Sequence, residues 1–213
     1  MTTVYMVRHC ESAGNIARRI QGRTDCDISD NGKLQLENLK NRMVTIPLDV
    51  IYSSPLKRAL LTANAMKGDR DIEIRILENL QEMSFGIAED KTWEEIAELL
   101  PGVWEEWRTN PYFVRFPDGE TFQDVEERTV ATVEQIVKAN PGKHIAIATH
   151  ATPVRVFSRF VLDESADLKN VDWARNTSIT TVEYSDDFVP KMISYNDFSH
   201  QPEDLLYHIK TAR

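Results

Sequence analysis

Cysteine is scarce in this 213-residue chain, which has only Cys10 and Cys26. Two cysteines outside a C-x-x-C arrangement exclude a disulfide framework and predict reduced thiols. Dense lysine and arginine clusters are also missing, and the formal net charge is -9. A surface made to neutralise nucleic-acid phosphates or anionic lipid is thereby excluded, so any anion must meet a local pocket. No apolar stretch approaches the ~20 residues of a membrane span, and "MTTVYMVRHC" shows no basic leader before an apolar core. The expectation is a cytoplasmic chain with no membrane or nucleic-acid partner. No heptad or apolar surface stripe assigns an oligomeric state. Asn176-Thr177-Ser178 matches the glycosylation pattern and, without a secretory leader, reads as a chance match in a loop.

What is present is ordinary globular material, with 41% apolar and 28% charged residues. One packed domain over 1–213 is expected. "TTVYMVRH" (2–9), "DVIYSS" (49–54), "IEIRIL" (72–77) and "HIAIATH" (144–150) read as strands. Pro55 and Thr152-Pro153 each open a helix. Thr92 with Glu95 and Thr121 with Asp124 have capping-box spacing, and the apolar positions from Phe122 to Val137 keep a helical period until Asn140-Pro141-Gly142. "ITTVEYS" and "KMISYN" form a closing strand pair. The alternation predicts a three-layer α/β/α sandwich on a mainly parallel sheet, with one antiparallel strand at its edge. The stretch 100–119, rich in Trp, Phe and Pro, departs from this rhythm and is expected to be a lid or insertion.

Ligands of such sheets gather beyond the carboxyl ends of the strands. Arg8 and His9 end the first strand, Arg58 lies in the first helical turn after the second, Glu82 follows the third, and His150 ends the fourth. Singly, each has a bland explanation as a solvated or structural side chain. Collected at one edge, they suit phosphoryl transfer. Two guanidinium groups bind phosphate oxygens bidentately, and a histidine with a free ring nitrogen attacks phosphorus. A second histidine, donating or protonated, stabilises the equatorial oxygens, and a carboxylic acid protonates the leaving oxygen. Histidines at 9, 144, 150, 200 and 208 have no metal-ligand spacing, so neither metal nor cofactor is expected. His144 should point elsewhere, and His200 and His208 read as surface or structural.

These residues resemble the histidine phosphatase superfamily, also called the phosphoglycerate mutase-like family. "RHCESAGN" stands where the family has Arg-His-Gly, then Glu-Thr or a similar pair, then Asn. "GRTDCDISDNG", "SSPLKRALLTA", "LENLQEMSFG", "PDGETFQDVEER" and "IAIATHATPVR" extend the likeness along nearly the whole chain. The resemblance implies that His9 is the phosphorylated nucleophile, that Arg8, Arg58 and His150 form the phosphate pocket, that Asn15 helps hold the phosphate, and that Glu82 is the proton donor. It also implies that Gln21, Gly22 and Arg23 pass close to a small-molecule phosphomonoester. Cys10 and Ala151 depart from the family by adding side chains where glycine is usual. Cys10 carries a weak expectation of oxidant sensitivity, against the commoner role of a small packed hydrophobe.

The same phosphohistidine can serve water or a second hydroxyl. The chain lacks room for the segments that close over a phosphoglycerate in the mutase branch, so a histidine acid-type phosphatase is expected. Mutase-type transfer and a non-catalytic phosphate-binding module are the alternatives. Trp104 and Trp107, three residues apart, share a helix face; as core or as pocket wall they come from the same residue types.

Overall fold

The computed structural model describes residues 1–162, 168–202 and Leu205. Six strands, β1 (Thr2–Arg8), β2 (Val50–Ser53), β3 (Ile74–Ile76), β4 (His144–Thr149), β5 (Ile179–Tyr184) and β6 (Pro190–Asp197), form one sheet in the order β3-β2-β4-β1-β5-β6. Strands β1 to β4 are mutually parallel, while β5 runs antiparallel to both β1 and β6. The single reversed strand therefore lies one position inside the sheet and not at its edge, because the hairpin returns β6 outside β5.

Alternation along the strands decides which helices cover which face. Val4, Met6, Val50, Tyr52, Ile145 and Ile147 point to one side, where they meet Val133, Ile136 and Val137 of α6 (Phe122–Ala139) and Val154 and Phe157 of α7 (Ala151–Leu162). Val7, Ile51, Ala146 and Ala148 point to the other, against Leu39 and Met43 of α2 (Asp30–Met43) and Ala63 and Met66 of α3 (Lys57–Lys67). Burying each large side chain contributes about 1.5–3 kcal/mol, which commits both faces to the interior. The three-layer α/β/α architecture follows.

The predicted capping boxes at Thr92 and Thr121 both form, opening α4 (Trp93–Leu99) and α6. Pro55, by contrast, does not begin a helix: Leu56 is still extended, and α3 starts at Lys57. Helix α7 starts at Ala151, one residue ahead of Thr152-Pro153. The short α1 (Ala13–Ile16) and α2 have no counterpart among the elements predicted from the pattern, and α5 (Pro101–Thr109) is anticipated only by the helix face that Trp104 and Trp107 share. No described helix is long and apolar enough to cross a membrane.

Candidate active site

Strand register brings the chemistry together. Arg8 pairs with Thr149 across β1 and β4, so the next residues, His9 and His150, leave the sheet side by side with ring centroids 5.1 Å apart. Ser53 of β2 pairs with Ala148, which carries Ser54 to the His150 ring, Oγ to Nε2 at 2.7 Å. Arg58 follows in the first turn of α3. The predicted strand-end cluster of Arg8, His9, Arg58, Glu82 and His150 is thus assembled, and all five residues are buried.

His9 Nδ1 lies 2.6 Å from the Cys10 carbonyl oxygen. A carbonyl only accepts, so the ring proton sits on Nδ1 and the lone pair on Nε2. Burial, then the charges of Arg58 and Arg8, hold His9 well below the usual histidine range. The imidazole is therefore neutral at physiological pH, the form a nucleophile needs. His150 is held down in the same way, by burial and then by Arg58. A neutral ring meets an anion's oxygen by donating its N–H, not as an imidazolium. The Ser54 oxygen accepts from the Leu56 N–H at 3.4 Å and lies 2.7 Å from His150 Nε2; in the tautomer in which Ser54 donates to Nε2, the ring N–H is at Nδ1.

Burial pulls the Arg8 guanidinium down to about 10, still charged at neutral pH. Arg8 donates to the Ala174 carbonyl at 2.6 Å, and Arg58 to those of Gly22 and Thr24 at 2.8 and 2.9 Å. Arg8 Nε, Arg58 Nε and His150 Nδ1 are buried without a hydrogen-bond partner. Leaving a buried donor unpaired costs about 1–3 kcal/mol, a cost that an oxygen acceptor at these atoms removes.

The Glu82 side chain is fixed from the opposite side. Oε2 accepts from the Ala151 N–H at 3.1 Å and Oε1 from those of Thr152 at 3.2 Å and Met83 at 2.8 Å. Two of these donors, the Ala151 and Thr152 N–H groups, belong to the first turn of α7. Ala151 therefore contributes its backbone to the acid's cradle, and its added methyl lines the cavity.

His9 and Glu82 open into a cavity of about 820 Å³. Asn15 and Gln21 line it as expected. Asn15 Oδ1 caps α1 by accepting from the Ser12 N–H at 3.1 Å, which leaves its NH₂ group free, while the Ser12 hydroxyl donates its one proton to Gln21 Oε1 at 2.7 Å. Gly22 lines it too, at φ +51°. Arg23 turns to Glu120, 3.2 Å away, and is not a lining residue. Cys10 also lies off the cavity. Its thiol packs at the Arg58 carbonyl and burial pushes it up to about 11, the state of an inert hydrophobe and not a sensor. His144 Nδ1 meets Tyr5 at the far end of β4, and His200 is half-buried away from the cavity. His208 lies outside the described residues.

Sequence reasoning missed three contributors. Asn176 is buried and its amide donates to the His9 carbonyl at 2.8 Å, which gives the glycosylation-like triplet a structural purpose. Arg155, over the Trp173 ring at 4.2 Å, completes the same wall. Arg128 binds the loop that carries Glu82. None lies on a periodic pattern that would single it out. Trp104 and Trp107 prove to be both core and wall: Trp107 stacks on Trp93 at 5.5 Å, Trp104 meets it tilted at 5.3 Å, and both line the cavity. Among the described residues no group of three or more His, Cys, Asp or Glu side chains could hold a metal.

An α/β sheet that ends in paired buried arginines and histidines, with a carboxylate opposite, defines a phosphoryl-handling protein. The family profile of the histidine phosphatase superfamily, branch 1, matches residues 4–197, and the chain belongs to that family. It is 33% identical over 155 residues to phosphoserine phosphatase 1 of Hydrogenobacter thermophilus, covering 73% of this chain and 74% of that protein. Among solved structures, YhfR of Bacillus stearothermophilus superposes with a TM-score of 0.89 at 31% identity, over 94% of this chain and 99% of that one. A phosphoserine phosphatase of Entamoeba histolytica, solved as a histidine-to-alanine mutant with phosphoserine bound, superposes with a TM-score of 0.82 at 27% identity, with the same coverage.

Proposed function

We propose that this chain is a metal-independent phosphomonoester hydrolase, of the histidine acid type, that works through a phosphohistidine on His9. The observation that carries the reading is the state of His9: Nδ1 committed to the Cys10 carbonyl, Nε2 free, and two buried guanidinium groups beside it. A phosphoryl group held by Arg8, Arg58, the His150 N–H and the free Asn15 amide is attacked by Nε2. As the P–O bond breaks, Glu82 gives its proton to the leaving alcohol oxygen. Glu82 then takes a proton from water, which attacks phosphorus, releases inorganic phosphate and restores neutral His9. Gln21 and Gly22 act one layer out, with the Gly22 carbonyl holding Arg58 in place.

The substrate is a small-molecule phosphomonoester. Phosphoserine is one compound to test, given the relatives. The Trp93, Trp104 and Trp107 wall favours ring-bearing leaving groups as well. The test is phosphate release from p-nitrophenyl phosphate in EDTA, with His9→Ala as control. Turnover that persists in EDTA and vanishes in the variant, with an acid-labile phosphoenzyme in the wild type, is expected. Isomerisation of 3-phosphoglycerate faster than phosphate release would reassign the chain to mutase-type transfer, and phosphate affinity without a phosphoenzyme would make it a binding module.

A further inference from the structure

Glu82 sits on a segment with little regular structure of its own. Between β3 and the turn at 86–88 the chain makes only one short turn, Glu78–Leu80. A proton donor on such a segment needs its backbone held from outside, because an error of about 1 Å in placement can cost on the order of a hundredfold in rate.

The hold comes from α6. Arg128 is largely buried, and its guanidinium places all five N–H donors. Nη1 donates to the carbonyls of Asn79 at 2.7 Å and Gln81 at 2.8 Å, and Nη2 to that of Glu82 itself at 3.0 Å. Nε and Nη2 together form a bidentate pair with the Glu120 carboxylate at 2.9 and 3.1 Å. Glu120 in turn grips the far side of the acid. Its Oε2 accepts from the Ser84 N–H at 2.8 Å, and its own N–H donates to the Ser84 carbonyl at 2.8 Å. Residues on both sides of Glu82 are thus tied to one ion pair, while the carboxylate at the tip is tied to α7. A lysine, a point charge with three donors and no planar fork, cannot make this set.

We infer that Arg128, together with Glu120, is a positioning residue for proton transfer at Glu82, fixing the acid's backbone so that its proton reaches the leaving oxygen. The inference rests on Glu82 being the general acid, and it separates from a merely structural brace by its dependence on the leaving group. An ester that departs as a stabilised anion needs little help from an acid, whereas a basic leaving oxygen needs it fully.

The experiment measures kcat/KM over substituted phenyl phosphates, from p-nitrophenyl to unsubstituted phenyl, for the wild type, Glu82→Gln, Arg128→Lys and Glu120→Gln. Removing the acid in Glu82→Gln should cost about a hundredfold or more on phenyl phosphate and far less on p-nitrophenyl phosphate. Arg128→Lys is expected to steepen the dependence in the same direction, losing about tenfold on phenyl phosphate with p-nitrophenyl phosphate within about threefold. Glu120→Gln, which keeps the shape of the brace and spares the fold if Arg128→Lys unfolds, should steepen it likewise. Equal losses on every ester in the two brace variants, or none, while Glu82→Gln steepens the slope, would overturn the positioning role. A Glu82→Gln slope like that of the wild type would overturn the acid assignment instead.

Discussion

Single residues in this site are held by backbone as much as by one another, and Gly22 is the sharpest case. Its φ of +51° lies in the left-handed region, and a Cβ there would meet the Glu89 carboxylate at 2.3 Å. Glu89 in turn accepts from the N–H groups of Arg23 and Thr24, and the Gly22 and Thr24 carbonyls hold Arg58. Gly22→Ala therefore strains the turn by about 1 kcal/mol or more and disturbs Arg58 through the same loop. The expected outcome is a several-fold higher KM for p-nitrophenyl phosphate with a smaller change in kcat, read from steady-state kinetics. His9 yields a pH prediction. Its pKa is lowered, so the nucleophile is lost only when pH falls well below the usual histidine range, and kcat/KM should hold through pH 6 on its acid side. A fall in kcat/KM that starts near pH 6.5, and is absent from a pH-matched stability control, would contradict the neutral His9.

At the scale of elements, α5 is the least anchored part of the cavity wall. It has no fully buried residue and is held by Trp104 and Trp107 lying on Trp93, Phe116 and Phe122. Trp107→Ala should cost about 2–3 kcal/mol by urea unfolding, below the full Trp→Ala range because the ring is only half-buried. It should also lower kcat/KM for naphthyl phosphate more than for glycerol phosphate; equal effects on the two would leave the ring as packing alone. The aromatic excursion was legible in the sequence as composition and, at Trp104 and Trp107, as one helix face, but the bounds of the helix were not, because that face is completed by Phe85, Trp93 and Phe122 from other segments. Helix α2 escaped for a different reason. Its first turn, Asp30-Asn31-Gly32, carries turn chemistry, yet Ser29 Oγ accepts from the Gly32 N–H at 2.9 Å and caps a helix. Gly32 is needed there because a Cβ would meet the Glu11 carbonyl at 2.2 Å. The strand-end cluster was legible because strand, turn and helix starts are local signals. The inner place of β5, the Asn176 hold on His9 and the Arg128 brace depend on contacts between distant segments, which no local period records.

The molecule as a whole sets a negative chain around a positive cleft. Against a net charge of -9, the cavity is lined by seven arginines, no lysine and three glutamates. Concentrating that charge around two buried histidines has a consequence for stability. His9 and His150 both have folded-state pKa values well below those of an unfolded chain, near 6.5. Above that value neither state binds the proton and the histidines leave stability unchanged with pH. As pH falls through it, the unfolded chain takes up two protons that the folded one refuses, and stability drops by about 2 kcal/mol for the pair between pH 6.5 and 5.5. His200, lowered by burial, adds in the same direction. Carboxylates such as Asp124 and Asp197, whose values are also lowered, act only nearer their own range, so the window from pH 6.5 to 5.5 belongs to the histidines. Urea midpoints between pH 7.5 and 5.5 should fall steeply in the wild type and less steeply in His9→Ala and His150→Ala, with the double variant flattest. Inorganic phosphate at a hundred times its Kd should raise stability by about 2.7 kcal/mol in the wild type and by much less once Arg58 is replaced by methionine, since the ligand meets the same charges that keep the histidines neutral. A wild-type midpoint that does not change across this window would mean that the two rings are not neutral in the folded protein, and the nucleophile would have to be sought elsewhere.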